Sequence, residues 1–187
     1  MAARWTIAAL WLAWLAAWLA MARRGKAEEG RLATAQQLQH RVPSTIAAIL
    51  LVVDIPVFPL DARLVPPVGW PPRLGLALVV AGLAFALWAR LHLAGNWSAN
   101  VTLKRGHELV ADGPYRRVRH PIYTGVLAAV AGTALAIGEG RALLALALAV
   151  AALWRKLTLE EAVMRNEFGD AYVRYAERTR ALIPFVL

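Results

Sequence analysis

Long apolar stretches alternate with short polar segments over most of the chain. The apolar stretches cover residues 5–22, 45–60, 74–94, 122–137 and 142–154. A helix needs about 20 apolar residues to cross the hydrocarbon core of a bilayer, so the last two stretches are short for a span. Residues 155–168 contain neither Gly nor Pro, and we expect the fifth helix to continue through them beyond the lipid. The pattern predicts an all-α integral membrane bundle of about five transmembrane helices with a cytoplasmic C-terminal extension.

Turn-forming residues predict how these helices are connected. Gly138-Glu139-Gly140 stands between the last two stretches and predicts a tight turn, so helices four and five should form an antiparallel hairpin. Segment 54–72 holds six prolines and predicts an irregular outer loop. The polar segment 23–41 is expected to carry a surface helix over 28–39. At 187 residues the chain has room for one domain of ordinary size, so we expect a single domain over 1–187.

The composition agrees with a lipid environment. Of the 187 residues 59% are hydrophobic, which exceeds the roughly 45–50% of soluble domains and is more than so small a fold could bury from water. The first stretch is about 18 residues long, and three basic residues follow it: Arg23, Arg24 and Lys26. This length and these charges are more typical of a transmembrane helix than of a signal peptide that is cleaved off. The chain has no cysteine, which excludes disulfides, thiolate zinc sites and cysteine nucleophiles.

The distribution of basic residues predicts the orientation in the membrane. With the N-terminus outside and five crossings, the inner segments 23–41, 104–119 and 155–187 hold five, five and six Lys or Arg. The outer segments hold Arg4, Arg63, Arg73 and Arg141. This asymmetry is typical of membrane proteins, and it also accounts for the excess of 21 Lys and Arg over 12 Asp and Glu. Because no basic stripe with interleaved aromatics occurs, no nucleic-acid partner is expected.

The densest group of polar residues lies over 107–125. Asp112-Gly113-Pro114 is typical of a turn, and Pro121 suits the first turn of helix four because its missing N–H would be unpaired there. Arg119 and His120 would then lie at a helix N-terminus, where free N–H groups and the helix dipole favour an anion such as a ligand carboxylate. The alternative is a basic anchor that touches only lipid phosphate.

A second polar group lies at the inner end of helix five. Glu160 follows Lys156 by one helical turn, so both side chains point the same way, and Glu161 stands beside Glu160. As a plain surface pair, Lys156 and Glu160 would stabilise the helix by about 0.2–0.5 kcal/mol. In a pocket, Glu160 could hold an ammonium or ribose hydroxyls of a ligand, and Lys156 could hold an acidic substrate. Because helices four and five form a hairpin, we expect His120 and Glu160 to approach each other.

Two further features have both a structural and a functional interpretation. Tyr172 and Tyr175 share one face of an amphipathic tail helix, where anchoring at the membrane surface is favoured over a ligand contact. Asp54 is ionisable at the edge of a span, which makes it a functional candidate, while the neighbouring Pro56 and Pro59 also fit an outer interface.

Together these groups resemble the isoprenylcysteine carboxyl methyltransferase family and its phospholipid methyltransferase relatives. The matching residues, which agree in order and spacing, are His107-Glu108-Leu109-Val110, Gly113-Pro114-Tyr115, Arg119-His120-Pro121-Ile122-Tyr123-Thr124-Gly125, Glu160-Glu161, Phe168-Gly169, Tyr172, Tyr175 and Ile183-Pro184. They cover the C-terminal half from Asn96 onward, and residues 1–95 give no comparable match. The resemblance implies an S-adenosylmethionine site without a Rossmann domain, in agreement with the absence of a Gly-rich strand-to-helix fingerprint.

The resemblance also assigns roles to particular residues. The cofactor-binding residues would be Asn100, His107, Glu108, Leu109, Val110, Tyr115, His120, Pro121, Ile122, Tyr123 and Glu160. In the family an Arg commonly stands one turn before the first Glu, near the substrate carboxylate, and here Lys156 occupies that place with Arg155 beside it. Lys keeps the positive charge but cannot form the two parallel hydrogen bonds with which the planar guanidinium of Arg binds a carboxylate. Lys156 and Arg119 are the candidate catalytic residues, and no metal is implied.

By this resemblance the expected function is S-adenosylmethionine-dependent methyl transfer to a membrane-embedded or lipophilic acceptor, an isoprenylcysteine-type carboxylate or a lipid. Residues 1–95, with three spans, would select the substrate, and residues 96–187 would bind the cofactor. The active site would face the cytoplasm in a multi-pass protein of the cell inner membrane. Two alternatives stay open: an NADPH-dependent sterol-type reductase of related membrane fold, which also has an Arg-His pair, and a non-enzymatic membrane scaffold.

Overall fold

The fold is known from a computed structural model, which describes residues 2–22, 28–29, 34–94, 103–104 and 109–183. Within these ranges the chain forms six α-helices: α1 (Ala2–Ala22), α2 (Thr34–Val52), α3 (Trp70–Leu93), α4 (Pro121–Ile137), α5 (Gly140–Phe168) and α6 (Asp170–Arg178). A 3-10 turn covers Gly113–Arg116. Two-residue strands β1 (Glu28–Glu29) and β2 (Leu103–Lys104) pair antiparallel and connect the segment after α1 to the segment after α3.

Three helices of the described ranges are long and apolar enough to cross a bilayer. They are α1 over Arg4–Met21, α3 and α5, while α4 is a shorter apolar helix of 17 residues. Large apolar side chains such as Leu12, Trp88 and Leu143 are exposed on the outside of the bundle. Exposed apolar surface on this scale is rare on soluble monomers and suits contact with lipid. The prediction of an all-α integral membrane protein is confirmed, and the five crossings and their orientation stay predictions.

The helix in the second apolar stretch ends before the stretch itself does. α2 stops at Val52, and the loop that follows begins close to residue 54, where the outer loop was predicted to start. Two causes act together. Pro56 has no N–H with which to continue the helix, and the Arg141 guanidinium donates hydrogen bonds to the carbonyl oxygens of Leu50 and Val53, at 2.7 and 2.9 Å. The final carbonyls of α2 are therefore satisfied by a side chain instead of a further helical turn.

The start of α2 also differs from the prediction, so the separate surface helix over 28–39 is wrong. Glu28–Glu29 is strand, and α2 begins at Thr34 and runs through Pro43 into the apolar part without a break. Next to this proline the hydroxyls of Ser44 and Thr45 donate to the carbonyl oxygens one turn earlier. Such bonds compensate in part for the hydrogen bond that a proline removes from a helix.

The turn between α4 and α5 has the predicted form. Gly138 adopts the left-handed conformation with φ of 69°, which only glycine adopts without strain, and α5 starts two residues later. Residues on both sides of this turn form an outer cluster of five charged residues, namely Arg4, Asp54, Arg63, Glu139 and Arg141. Arg141 is 1% exposed and lies 2.7 Å from both Asp54 and Glu139. Asp54, a functional candidate from its sequence position, is thus part of a structural cluster.

Four glycines bring α3 and α4 into very close contact. The two helices run antiparallel, so that Gly75 faces Gly132 and Gly82 faces Gly125. A methyl group added at any of these four positions would lie 2.5 Å from the carbonyl oxygen of the facing glycine. Carbon and oxygen cannot approach to that distance, so the interface admits no larger residue. This packing fixes the position of the inner ends of α3 and α4.

We expect Gly82→Leu to destabilise the protein by roughly 1–3 kcal/mol, because the new side chain forces α3 away from α4. In a chain of this size that corresponds to a fall in melting temperature of about 2–12 °C, measurable by thermal unfolding in detergent. The matched control is Ala81→Leu, since Ala81 is the preceding residue and is exposed. Equal melting temperatures for the two variants would contradict the proposed packing.

Candidate active site

The N-terminus of α4 is held in place by the end of the chain. The backbone N–H groups of Arg119 and His120 donate to the carbonyl oxygens of Arg180 and Ala181, at 2.7 and 3.0 Å. The Thr124 hydroxyl donates to the carbonyl oxygen of the next residue, Leu182, at 2.6 Å. The segment after α6 therefore runs along the entry to α4 and fixes the direction in which the side chains of this first turn point.

The inner ends of α4 and α5 meet in a group that we call the acid–imidazole cluster, formed by Arg119, His120, Tyr123, Glu160 and Glu161. Tyr123 Oη donates to Glu160 Oε1 at 2.5 Å, and His120 Nδ1 lies 3.6 Å from Glu160 Oε2. His120 Nε2 lies 3.4 Å from Glu161 Oε1, and Arg119 Nε donates to the same oxygen at 2.7 Å. The structure thus brings His120 and Glu160 together, as expected from the hairpin.

Lys156 lies at the edge of this cluster. Its Nζ is 3.9 Å from Glu160 Oε1 and 5.5 Å from the centre of the Tyr123 ring. The Tyr123 ring in turn lies parallel to the His120 imidazole, with 5.4 Å between the ring centres. An ammonium over an aromatic face is attracted by the π-electrons of the ring. The candidate site therefore combines two carboxylates, one imidazole, one phenol, one guanidinium and one ammonium within a few ångströms.

The remaining predicted residues lie beside the cluster or outside the described ranges. Tyr115 is buried and packs with Ile122 and Val110 in an apolar group that also touches Tyr123. Leu109 is half-buried, and Pro121 is buried at the first position of α4. Three predicted cofactor-binding residues, Asn100, His107 and Glu108, lie outside the residues that the structure describes.

The expectation that the tail tyrosines anchor the protein at the membrane surface is wrong. Tyr172 and Tyr175 are both buried, with their rings packed edge to face. Tyr175 Oη donates to the backbone carbonyl oxygen of Tyr115 at 2.8 Å. The physical reason is that α6 folds back on the segment before α4, so the aromatic face of α6 covers protein instead of lipid. The tyrosines stabilise the entry to α4.

Glu161 is a site residue that was not predicted from the sequence, although it stands beside the predicted Glu160. Glu161 contacts both His120 and Arg119, whose Nη1 also donates to the carbonyl oxygens of Ala176 and Thr179. The adjacent acidic residues were the available signal. Two neighbouring side chains on a helix diverge by about 100°, so each carboxylate can meet a different partner.

The two carboxylates determine the charge of His120. Burial disfavours protonation of the imidazole, but the hydrogen bonds and the negative charges of Glu160 and Glu161 outweigh that effect and raise the pKa of His120 above its ordinary value of 6.5. The protonated form of His120, at the N-terminus of α4, is therefore favoured relative to an ordinary histidine. A positive charge at this position adds to the attraction of the helix end for an anion.

We expect this raised pKa to appear in the pH dependence of stability. A group whose pKa is raised on folding stabilises the protein fully below its unfolded pKa of about 6.5, and this stabilisation is lost as the pH rises through the folded pKa. Thermal unfolding in detergent between about pH 6 and pH 9 should show the decline, and His120→Gln should flatten it. Nitrogen-15 NMR of labelled histidine gives the pKa directly. Titration of His120 below 6.5 would refute the expectation.

An open cleft of about 440 Å³ adjoins the cluster at Arg119. It is lined by Arg119, Arg165, Val173, Ala176 and Glu177, from the end of α5 and from α6. Sites for small ligands commonly have volumes of about 300–1,000 Å³. Glu161 joins the cleft to the cluster, because it contacts both Arg119 and Arg165, the latter at 3.4 Å.

The known proteins that are similar in sequence to this chain share one family name. A sequence model of the isoprenylcysteine carboxyl methyltransferase (ICMT) family matches residues 75–166. Protein-S-isoprenylcysteine O-methyltransferase B of Arabidopsis thaliana is 29% identical over 123 residues, which are 63% of this chain and 61% of that protein. Protein-S-isoprenylcysteine O-methyltransferase of Schizosaccharomyces pombe is 34% identical over 104 residues, which are 52% of this chain and 43% of that protein. The chain thus spans about half of the length of the curated relatives that it matches.

Among solved structures, the eukaryotic intramembrane Ras methyltransferase ICMT has a similar fold. The TM-score is 0.59 at 23% sequence identity, over 83% of this chain and 55% of that chain. The chain therefore has the helical fold of this enzyme. The segment that holds the acid–imidazole cluster lies inside the matched residues 75–166, and this segment is similar in sequence to the isoprenylcysteine carboxyl methyltransferase family. The resemblance inferred from the sequence is confirmed.

Proposed function

We propose that this protein is an S-adenosylmethionine-dependent methyltransferase that acts on a lipophilic acceptor carrying a carboxylate, of the isoprenylcysteine type. The observation that supports it most is the meeting of His120 and Tyr123, at the start of α4, with Glu160, near the end of α5. Both helix ends lie in the segment that matches the family. The distribution of basic residues supports a cytoplasmic active site in a cell inner membrane.

The groups of the site fit S-adenosylmethionine, which carries an ammonium, a carboxylate, ribose hydroxyls and a purine. Glu160, 21% exposed, can accept hydrogen bonds from the ammonium or from the ribose hydroxyls. The first-turn amides of Ile122 and Tyr123, beside His120, suit the carboxylate. Tyr115 with its apolar neighbours suits the purine. The proposed cofactor-binding set further includes Leu109, Val110, Pro121, Asn100, His107 and Glu108.

The chemistry requires positioning more than proton transfer. S-adenosylmethionine, when bound, supplies a methyl group on a sulfonium, and transfer of this methyl to a carboxylate oxygen forms an ester while the electron pair of the broken C–S bond stays on sulfur. The acceptor carboxylate is already ionised at neutral pH, so the chain needs no general base. Lys156 orients that carboxylate through its positive charge. Bringing two reactants together in the correct geometry lowers the barrier by up to about 7–11 kcal/mol.

Arg119, a candidate catalytic residue from the sequence, is proposed to act by positioning. Its guanidinium is bonded to Glu161 and to the carbonyl oxygens of Ala176 and Thr179. These contacts hold the end of the chain against α5 and keep Glu161 next to His120. Residues 1–95 are proposed to form the acceptor side of a single domain, with the acceptor entering from the bilayer and the cofactor from the cytoplasm.

Methylation assays on the purified full chain in lipid nanodiscs test this proposal. Labelled S-adenosylmethionine is supplied with N-acetyl-S-farnesyl-cysteine, with the carboxamide of the same compound, or with phosphatidylethanolamine. We expect a base-labile methyl ester with the acid and no product with the other two. Label on the phospholipid amine would overturn the carboxylate acceptor. Binding of NADPH, without binding of S-adenosylmethionine, would overturn the proposed reaction class.

A further inference from the structure

The segment before α4 and the end of the chain carry exposed arginines that the proposed site does not use. We call them the basic face, which is formed by Arg116, Arg117, Arg174, Arg178 and Arg180. Within the described ranges none of these five arginines forms an ion pair with an Asp or Glu. Neighbouring positive charges repel each other, so an anion that lies against them is favoured.

Backbone contacts bring the two parts of the basic face together. The N–H of Arg180 donates to the carbonyl oxygen of Arg117 at 3.2 Å, and Val118 pairs with Arg180 in a parallel bridge. Arg178 precedes Arg180 by two residues, and its Nε donates to the carbonyl oxygen of Arg174, one turn earlier on α6, at 3.1 Å. Arginines that lie about 60 positions apart in the sequence are therefore neighbours on the surface.

The acidic side chains of this region make other contacts. Asp112 Oδ1 lies 2.8 Å from His92 Nε2. Glu161 accepts a hydrogen bond from Arg119 inside the acid–imidazole cluster. Glu177 lines the cleft beside the cluster. The basic face therefore keeps an excess of positive charge that a phosphate group could balance.

The length of α4 indicates the level of the basic face relative to a bilayer. α4 has 17 residues and is about 25 Å long, whereas the hydrocarbon core of a bilayer is about 30 Å thick. Arg117 precedes Pro121, the first residue of α4, by four residues. When α4 crosses the bilayer, Arg117 and its neighbours therefore lie in the headgroup layer. Ile183 is 51% exposed just beyond the basic face and offers an apolar contact to the same lipids.

We propose that the basic face binds the phosphate groups of anionic phospholipids, and that this contact holds the end of the chain against the start of α4. The planar guanidinium of arginine can bond two oxygens of one phosphate. The N–H groups of Arg119 and His120 donate to the carbonyl oxygens of Arg180 and Ala181. A lipid that holds the end of the chain in place therefore also stabilises the first turn of α4. This lipid contact goes beyond the proposed reaction and does not depend on it.

Hydrogen–deuterium exchange of the full chain in two kinds of nanodisc tests the lipid contact. One nanodisc contains phosphatidylcholine alone, and the other contains equal parts of phosphatidylcholine and phosphatidylglycerol. The informative amides are those of Arg119, His120 and Arg180, which join the end of the chain to the start of α4. We expect phosphatidylglycerol to slow their exchange by roughly 25-fold, with about 5-fold from each of Arg178 and Arg180. High salt should reduce the slowing.

Variants of the basic face make the test specific. Arg180→Gln should reduce the slowing by about 5-fold, and Arg178→Gln together with Arg180→Gln should abolish it. Exchange within α5 should stay unchanged, which verifies that the double variant is folded. The matched control is Arg73→Gln, because Arg73 is exposed in the first turn of α3, at the opposite end of the bundle. The control should respond to phosphatidylglycerol as the unaltered chain does.

Three results would overturn the proposed lipid contact. The first is exchange in the unaltered chain that does not depend on phosphatidylglycerol. The second is equal slowing in the double variant and in the Arg73→Gln control. The third is equal slowing by free inorganic phosphate in nanodiscs of phosphatidylcholine alone, which would assign the basic face to a soluble anion instead of the membrane.

Discussion

Glu160→Ala should abolish methyl transfer and weaken the binding of S-adenosylmethionine by on the order of 100-fold. Glu160 accepts a hydrogen bond from Tyr123 and faces His120 and Lys156, so its removal leaves Lys156 without this counter-charge and His120 with Glu161 alone. Truncating one partner of a buried, hydrogen-bonded charge pair costs roughly 2–5 kcal/mol, and about 2.7 kcal/mol corresponds to 100-fold. Calorimetric titration of the purified variant in detergent measures the effect.

The matched control is Glu167→Ala on the same helix. Glu167 is exposed one turn or more beyond the cluster, and its loss should leave the affinity for the cofactor as it is in the unaltered chain. Glu160→Gln keeps the shape and one acceptor oxygen but not the charge, and should give an intermediate affinity. Unchanged binding by Glu160→Ala would remove Glu160 from the cofactor site and with it the proposed role of the acid–imidazole cluster.

Arg141→Ala should have the largest effect on stability, about 3 kcal/mol. Arg141 is fully buried and donates to Asp54, to Glu139 and to two carbonyl oxygens at the end of α2. Removing one partner of a buried ion pair costs roughly 3–5 kcal/mol, and the exposure of Asp54 keeps the value at the lower end. The melting temperature in detergent should fall by about 6–12 °C.

Arg73→Ala provides the comparison for this variant. Arg73 is an exposed arginine in the first turn of α3, and its removal deletes the same charge without emptying a buried site. Surface substitutions of this kind change stability by less than about 0.5 kcal/mol. If Arg141→Ala melts at the same temperature as Arg73→Ala, the outer cluster does not hold α2, the outer loop and the α4–α5 turn together.

The helix hairpin and the meeting of its inner ends were predictable because they depend on local signals. Gly138 and Gly140 mark the turn, and the lengths of the apolar stretches bring His120 level with the region of Glu160. Once two antiparallel helices share a turn, residues at equal distances from it are neighbours. The position of the site could therefore be predicted by counting residues along the two helices from their shared turn.

The features that sequence analysis missed depend on contacts between distant parts of the chain. Pro56 is a local signal for the end of α2, but the bonds from Arg141, about 90 positions away, to carbonyl oxygens at that end have no local signal. The burial of Tyr175 depends on the return of α6 to Tyr115. His40 lies in a stretch that reads as a polar surface segment, and it is buried because α2 continues through Pro43 and packs on α5.

The central claim is that the start of α4 and the inner end of α5 bind one molecule of S-adenosylmethionine between them. Hydrogen–deuterium exchange of the full chain in nanodiscs, with and without S-adenosylmethionine, tests it most directly. We expect the cofactor to slow exchange of the amides in 119–124 and in 156–161 together, and Glu160→Ala to remove both effects. Protection confined to one of these segments, or found elsewhere in the chain, would contradict a shared site.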